Sequence, residues 1–497
     1  MAARGFRPLL PALHAALGCM LGCFALLSGA QGLPPEPSYK GELMGDGKGG
    51  VIVRPFTAPE IPRENVEAKD NAPPGRGPRP ERQAAPDRRL PATPQAMPEP
   101  QRDPVAGPLT LEVGPSRKIR TIAQAAKIAR SGDTIVVEPG VYAGDVAVFT
   151  QDRLTIKASG GRARLNANGA SAEGKAIWVM RGGHITVENF EFVGARVAAH
   201  NGAGIRFEKG RLVLRNCLFR DNENGILTAS DKDAELEIEN SEFDRNGTVE
   251  GYGHQLYAGQ IAALKVTGSY FHNAVGGHLL KSRAARNVVM YNRLTDEDGG
   301  EASYELEFPN GGQAYVVGNI IGQSATSPNP AIVAIGLEGY RWPRNELYLV
   351  NNTLVDGRAS DGYFLRAAPG LQSLKAMNNL LVTGRSHDLA PFSADPKGTL
   401  RAPGKTVRLP DPGVRQAEYG TKADIRNNYL AASDEFVQPA QFDYRIRDRS
   451  SLAGKFQPPG TANGIDLTPR AYYAHPAQTR QLAAEPTLPG ASQSVVR

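Results

Sequence analysis

Cysteine is nearly absent from this chain: 497 residues carry 3, two of them, Cys19 and Cys23, within the first thirty positions. Only Cys217 remains in the rest, so no intrachain disulfide is expected there, and stability must come from a packed core. Tryptophan occurs twice, and no block of lysine or arginine stands out although the net charge is +6. That thin excess, with no recognisable binding motif, gives no support to nucleic-acid binding. Beyond the start there is no apolar run long enough to span a bilayer. Long amphipathic helical periodicity is missing as well, which leaves an all-β chain as the expectation.

The opening MAARGFRPLLPALHAALGCMLGCFALLSGAQG has Arg4 and Arg7, an apolar stretch and Ser28-Gly29-Ala30. It reads as a signal peptide over 1–30, implying export to a periplasmic or extracellular space and no membrane span after cleavage. Residues 31–107 are proline-rich, with 16 of the 38 prolines in 31–105 and equal numbers of acidic and basic side chains there, and read as a disordered linker.

From residue 184 to about 382 a small unit repeats: short strand, Asn, short strand, polar turn. The copies read ITVENFEF, LVLRNCLF, LEIENSEF, VVMYNRL, YVVGNII, LYLVNNTL and LKAMNNLL, centred on Asn189, Asn216, Asn240, Asn292, Asn319, Asn352 and Asn379. LKVTGSYF puts Gly268 in the same slot, and most steps are 24 to 27 residues. Strands repeating at such a period without intervening helices predict a solenoid, here a parallel β-helix. One coil cannot bury its own apolar face, so coils must stack. The repeated Asn suits a turn that needs left-handed backbone, and we read it as one structural ladder.

The segment RKIRTIAQAAKIARSGDTIVVEPGVYAGDV has an amphipathic short helix over Ile122, Ala125, Ala126 and Ile128, followed by a turn and the strand TIVV. This resembles the N-terminal cap of the pectate-lyase-like right-handed β-helix superfamily. The resemblance extends to FDYRIRDRSSLAGK and implies a solenoid over 108–456. Residues 384–424 break the period and are rich in proline, glycine and charge, which predicts an inserted loop, and 457–497 reads as an irregular tail lying back along the coils. It implies an extended polysaccharide as ligand. A closed β-helix needs no partner to fold, and a monomer is expected.

Chemistry concentrates on three successive coils, GHQLYAG, GHLLKSRA and SYELEFPNGG. Aligning them on Leu256, Leu280 and Leu306 as inward residues, strict alternation sends Tyr257, Lys281 and Glu307 outward in one row, about 4.8 Å apart. Gln255, Leu279 and Glu305 form a second outward row, and Gly259, Arg283 and Pro309 a third. His254, His278 and Tyr304 fall together at the strand starts with inward parity. A lyase on a uronate polymer must neutralise the substrate carboxylate, take the acidified C5 proton and protonate the leaving oxygen. Lys281 is a candidate base, Arg283 a candidate neutraliser, and Tyr257, His254 and His278 candidate acids. Gln255, Tyr304, Glu305, Asn310, Tyr340 and Trp342 are candidate substrate contacts, the last two from the loop EGYRWPR. GHLLKSRA is also similar to the chondroitinase B and alginate lyase branch, which implies Lys281 as catalytic base; Glu307 stands where that branch carries an arginine. Asp296, Asp298 and Glu301 in DEDGGE are candidate Ca²⁺ ligands, oxygen donors for a hard cation.

Other readings stay open. Lys281 and Glu307 can be a plain cross-strand ion pair, worth about 0.2–1 kcal/mol, and the histidines a buried stack on Tyr304. Glu305 and Glu307, two apart on one strand, have the spacing of an inverting glycoside hydrolase pair. A carbohydrate-binding or surface-structural β-helix without catalysis is the third class.

Overall fold

The computed structural model describes residues 41–45, 51–55, 107–248, 253–360, 362–384, 389, 391–392, 404–416, 421–493 and 495–496. The expected leader, 1–30, lies outside the described residues. Of the stretch expected as linker, Gly41–Gly45 and Val51–Pro55 pair as two antiparallel strands. Among the described residues, no helix is long and apolar enough to cross a membrane.

The remainder is a parallel β-helix. Among the described residues each complete coil gives one strand to each of three sheets, which contain 13, 12 and 9 strands. His184–Glu188, Phe190–Val193 and Ala203–Phe207 make one such coil, and Arg211–Arg215 starts the next. Alternation within each strand puts apolar rows inside: Ile185, Leu212, Leu236 and Leu264 lie in register through the first sheet. In the second sheet Phe192, Phe219, Phe243 and Phe271 stack face to face with centroids 4.9, 4.9 and 4.4 Å apart. Each such pair adds about 0.5–1.5 kcal/mol beyond its buried area.

The lower end of the core is closed by a helix, α1 (Ile122–Ile128), whose Ile122, Ala125 and Ala126 are buried. Thr121 and Gln124 form a capping box, and Asp145 accepts from the Ile122 and Ala123 amides, satisfying donors that a helix start leaves open. At the other end, Val407–Arg408 and Gly413–Gln416, from the stretch expected as an inserted loop, pair antiparallel with the last coil and cover its strand edges.

The asparagine ladder needs correction: it is two columns, not one. Asn189, Asn216, Asn240, Gly268, Tyr291, Gly318, Asn351 and Asn378 share a turn position with φ between 48° and 72°. The next residue in each coil points inside. There Asn292, Asn319, Asn352, Asn379 and Asn428 form a buried chain, each backbone N–H donating to the next Asn Oδ1 at 2.9–3.0 Å. Ser269 and Ser241 continue that column toward Cys217. The sequence repeat merged the outer column of the early coils with the inner column of the late ones, because Asn suits both a left-handed turn and a buried amide ladder.

Residues 457–493 carry two hairpins, Thr461–Ala462 with Ile465–Asp466 and Ala471–Ala474 with Gln478–Gln481. Asn463 reaches Glu346, Tyr315 and Tyr348, and the Asn378 amide donates to Gln457 O.

The third sheet carries the candidate site. Its strands are β1 (Ala147–Phe149), β2 (Ala176–Met180), β3 (Ala203–Phe207), β4 (Asn224–Thr228), β5 (Leu256–Ala258), β6 (His278–Ser282), β7 (Tyr304–Phe308), β8 (Ala331–Ile335) and β9 (Tyr363–Ala367).

Candidate functional site

Leu256, Leu280 and Leu306 pair in register and face the core, and Tyr257, Lys281 and Glu307 pair in register on the outer face. One position earlier strict alternation fails. The pairing skips the second residue of these strands: His278 pairs with Tyr304 and Leu280 with Leu306, while Ala331 pairs with Tyr363 and Val333 with Leu365. The chain bends there as it leaves the turn, so the second and third side chains both point inward. Leu279 and Leu280 are both fully buried in the same apolar cluster. Before β6 the bend is set by Gly276 and Gly277, φ 72° and 70°; a Cβ on Gly277 would lie 1.7 Å from Gly253 O.

This bend corrects three expectations. Gln255, Leu279 and Glu305 are not an outward row; they point into the coil. Gln255 joins a second amide ladder, accepting from the Asn246 side chain and donating to His272 O. Glu305 is wholly buried, with the Gln323 side chain as its nearest polar neighbour. Burial, then neighbouring Asp296, holds its carboxyl well above the usual carboxylate range, so it stays protonated. Glu305 and Glu307 therefore face opposite sides and cannot flank one sugar bond. Conversely, His254 and His278 turn outward and meet the Tyr257–Lys281–Glu307 row.

The result is one interlocked cluster. His278 Nε2 is 2.9 Å from Glu307 Oε2, and the His278 amide donates to His254 Nδ1 at 3.0 Å. The two imidazoles meet edge to face at 4.7 Å, and Tyr304 leans on His278 at 5.2 Å. Burial, reinforced by nearby positive charge, pulls both histidines well below the usual imidazole range, so both are neutral. Burial pushes Glu307 up, against the pull of Lys281 and Arg283. Lys281 and Glu307 are 8% and 4% exposed, so this is a desolvated network rather than a surface ion pair.

The loop after β8 supplies a member that sequence reasoning missed. Glu338 Oε1 lies 3.1 Å from Lys281 Nζ and its Oε2 2.7 Å from Arg283 Nη2. Arg283 also donates to Tyr257 Oη at 2.8 Å and to Asn310 Oδ1 at 2.7 Å. Both cations lie within 6 Å of the Tyr257 ring. Asn310 in turn donates to Gly339 O. The loop EGYRWPR offered Tyr340 and Trp342 in the sequence, but nothing in its spacing showed that Glu338 would reach two coils back.

Tyr340 and Trp342 fasten that loop. Tyr340 Oη donates to Ala368 O and its ring lies over Gly336, where a Cβ would come within 2.3 Å. Trp342 Nε1 donates to Arg283 O. Asp296 is buried and spends its oxygens on the Ala274 and Ala302 amides, with burial pushing its pKa up to about 6. Asp298 and Glu301 are exposed. Among the described residues no group of three or more His, Cys, Asp or Glu side chains is placed to hold a metal ion. These three therefore do not fit a Ca²⁺ site.

A family model described as a right-handed β-helix region matches residues 140–294. No curated protein matches the chain. Among solved structures, the crystal structure of pectate lyase Pel9A is similar, with TM-score 0.46 and 12% identity over 78% of this chain and 97% of that one. The fold is the right-handed parallel β-helix expected from the cap and the coil pattern.

Proposed function

We propose that this chain acts on an acidic, uronate-containing polysaccharide by β-elimination at the Tyr257–Lys281–Arg283 cluster. One observation carries the reading: Lys281 and Arg283 together grip a single carboxylate, that of Glu338, one oxygen to each cation. A uronate carboxylate presents the same group, and Arg in particular matches it as a planar fork. Exchange of the substrate carboxylate for Glu338 would neutralise it and acidify the C5 proton.

Lys281 is paired with two carboxylates here, which uses it as a cation. Tyr257 Oη, held by Arg283 Nε between two positive charges, is the group best placed to carry negative charge and move the proton. In this scheme the C5–H electron pair forms the C4=C5 bond and the C4–O bond breaks. Tyr257, entering as phenolate, takes the C5 proton and returns it to the leaving oxygen. Glu307 and His278 support Lys281 from below. The scheme moves the base from Lys281, the reading that the chondroitinase-like resemblance implies, to Tyr257.

A second reading has its own support. The two cations and two carboxylates balance, and the cluster is largely closed to solvent, which also suits a non-catalytic β-helix that binds glycan elsewhere. Product masses separate the readings. Elimination gives, at each cut, one unsaturated fragment lighter by one water than its hydrolysis counterpart, and a binder gives no fragments.

A further inference from the structure

A cavity of about 660 Å³ lies over the second sheet, and none of its lining residues belongs to the Lys281 cluster. Its floor is Tyr270 and Arg293, paired neighbours on adjacent coils. The Arg293 guanidinium lies 4.9 Å from the Tyr270 ring centroid and also pairs with Glu297. One wall is the Asp443–Arg447 strand and the turn before it. The other is the hairpin of Ala471–Ala474 and Gln478–Gln481, which brings Tyr472, Tyr473 and Arg480 to the cavity. The tail of the chain thus builds a cavity that the coils alone do not have.

Three features of the lining point to one ligand chemistry. Aromatic rings are dense: His475 meets Tyr270 edge to face at 5.2 Å, and Tyr473 lies 6.4 Å from it. Phe442, the left-handed cap of the turn Pro439–Gln441, adds a ring at the rim. Arg445 is taken up by Asp443 and Arg293 by Glu297, but the exposed Arg480 side chain makes no ion pair or hydrogen bond with the described residues. Gln438 and Gln441 add amides that can both donate and accept. Ring faces for the apolar side of a pyranose, amides for hydroxyls and one uncommitted guanidinium for a carboxylate describe an acidic sugar.

We propose that this cavity is a second, non-catalytic subsite that holds one or two acidic sugar residues of a glycan. The ligand class rests on the function proposed above; the placement does not. Because it stands on a different sheet from the Lys281 cluster, the subsite tethers a polymer rather than extending the reacting stretch.

The test is calorimetric titration of the full chain with uronate tetrasaccharides (galacturonate, glucuronate and mannuronate), with a neutral glucan tetrasaccharide as control. Arg480→Ala and Tyr472→Ala are each expected to weaken uronate binding at one site by about tenfold. Arg283→Ala is expected to leave that site unchanged. Arg480→Lys, which keeps the charge but loses the fork, is expected to fall between. Uronate binding indifferent to Arg480 and Tyr472, absence of uronate binding, or equal affinity for the neutral glucan would overturn the proposal. If no polymer is cleaved while Arg480-dependent binding persists, the catalytic reading fails and the subsite stands.

Discussion

The Glu338 carboxylate lies 2.7 Å from the guanidinium of Arg283 although the two residues come from different coils, and its other oxygen is 3.1 Å from Lys281. The chain carries within itself an occupant for its own carboxylate-binding pair. A substrate carboxylate must compete with it.

Glu338→Gln keeps the side-chain shape and removes that competitor. Affinity for a uronate oligosaccharide should rise about fivefold, as a difference of about 1 kcal/mol would give. The cations lose a partner, so the unfolding free energy should fall by about 1–2 kcal/mol. Titration calorimetry and denaturant unfolding on the same preparation measure both. Unchanged affinity would mean that Glu338 is not in the ligand's place.

Glu305 gives a pH signature. Its folded pKa is raised well above its ordinary 4.5 by burial and by Asp296. The folded state therefore holds a proton that the unfolded state releases as pH rises through that ordinary value. Stability from this group is complete below pH 4.5 and declines as pH climbs toward the folded pKa. Glu305→Gln has no such proton. Its stability relative to the parent should thus increase as pH rises above about 4.5. Parallel pH–stability curves would contradict the buried, protonated assignment.

The two asparagine columns should respond differently. Asn319 is buried: its Oδ1 accepts from Asn292, and its Nδ2 donates to Val289 O and to Asn352 Oδ1. Asn319→Ala leaves buried groups unpaired and should cost about 2–4 kcal/mol. Asn216 is exposed at φ 51°, a conformation glycine adopts freely. Asn216→Gly should change stability by less than about 1 kcal/mol. Chemical denaturation of both variants tests the division.

The contrast also shows what the sequence could and could not reveal. The coil period, the helix cap and the Leu256–Leu280–Leu306 register follow from apolar spacing, because one slip would turn a core row into solvent. The bend at the second residue of these strands did not: it breaks the period-two rule for one residue, enough to send Glu305 inward and His278 outward. The ladder was misread because Asn satisfies two different backbone needs one residue apart. Glu338 was out of reach because a loop contact across coils leaves no periodic trace.

The most direct test follows ultraviolet absorbance while the full chain is incubated with a panel of uronate polymers. Elimination creates a C4=C5 double bond conjugated to the carboxylate, which absorbs where the substrate does not. The account predicts a rise with at least one polymer, lost in Tyr257→Phe, Lys281→Ala and Arg283→Ala variants that remain folded. New reducing ends without that absorbance, or an absorbance rise that survives all three substitutions, would contradict it.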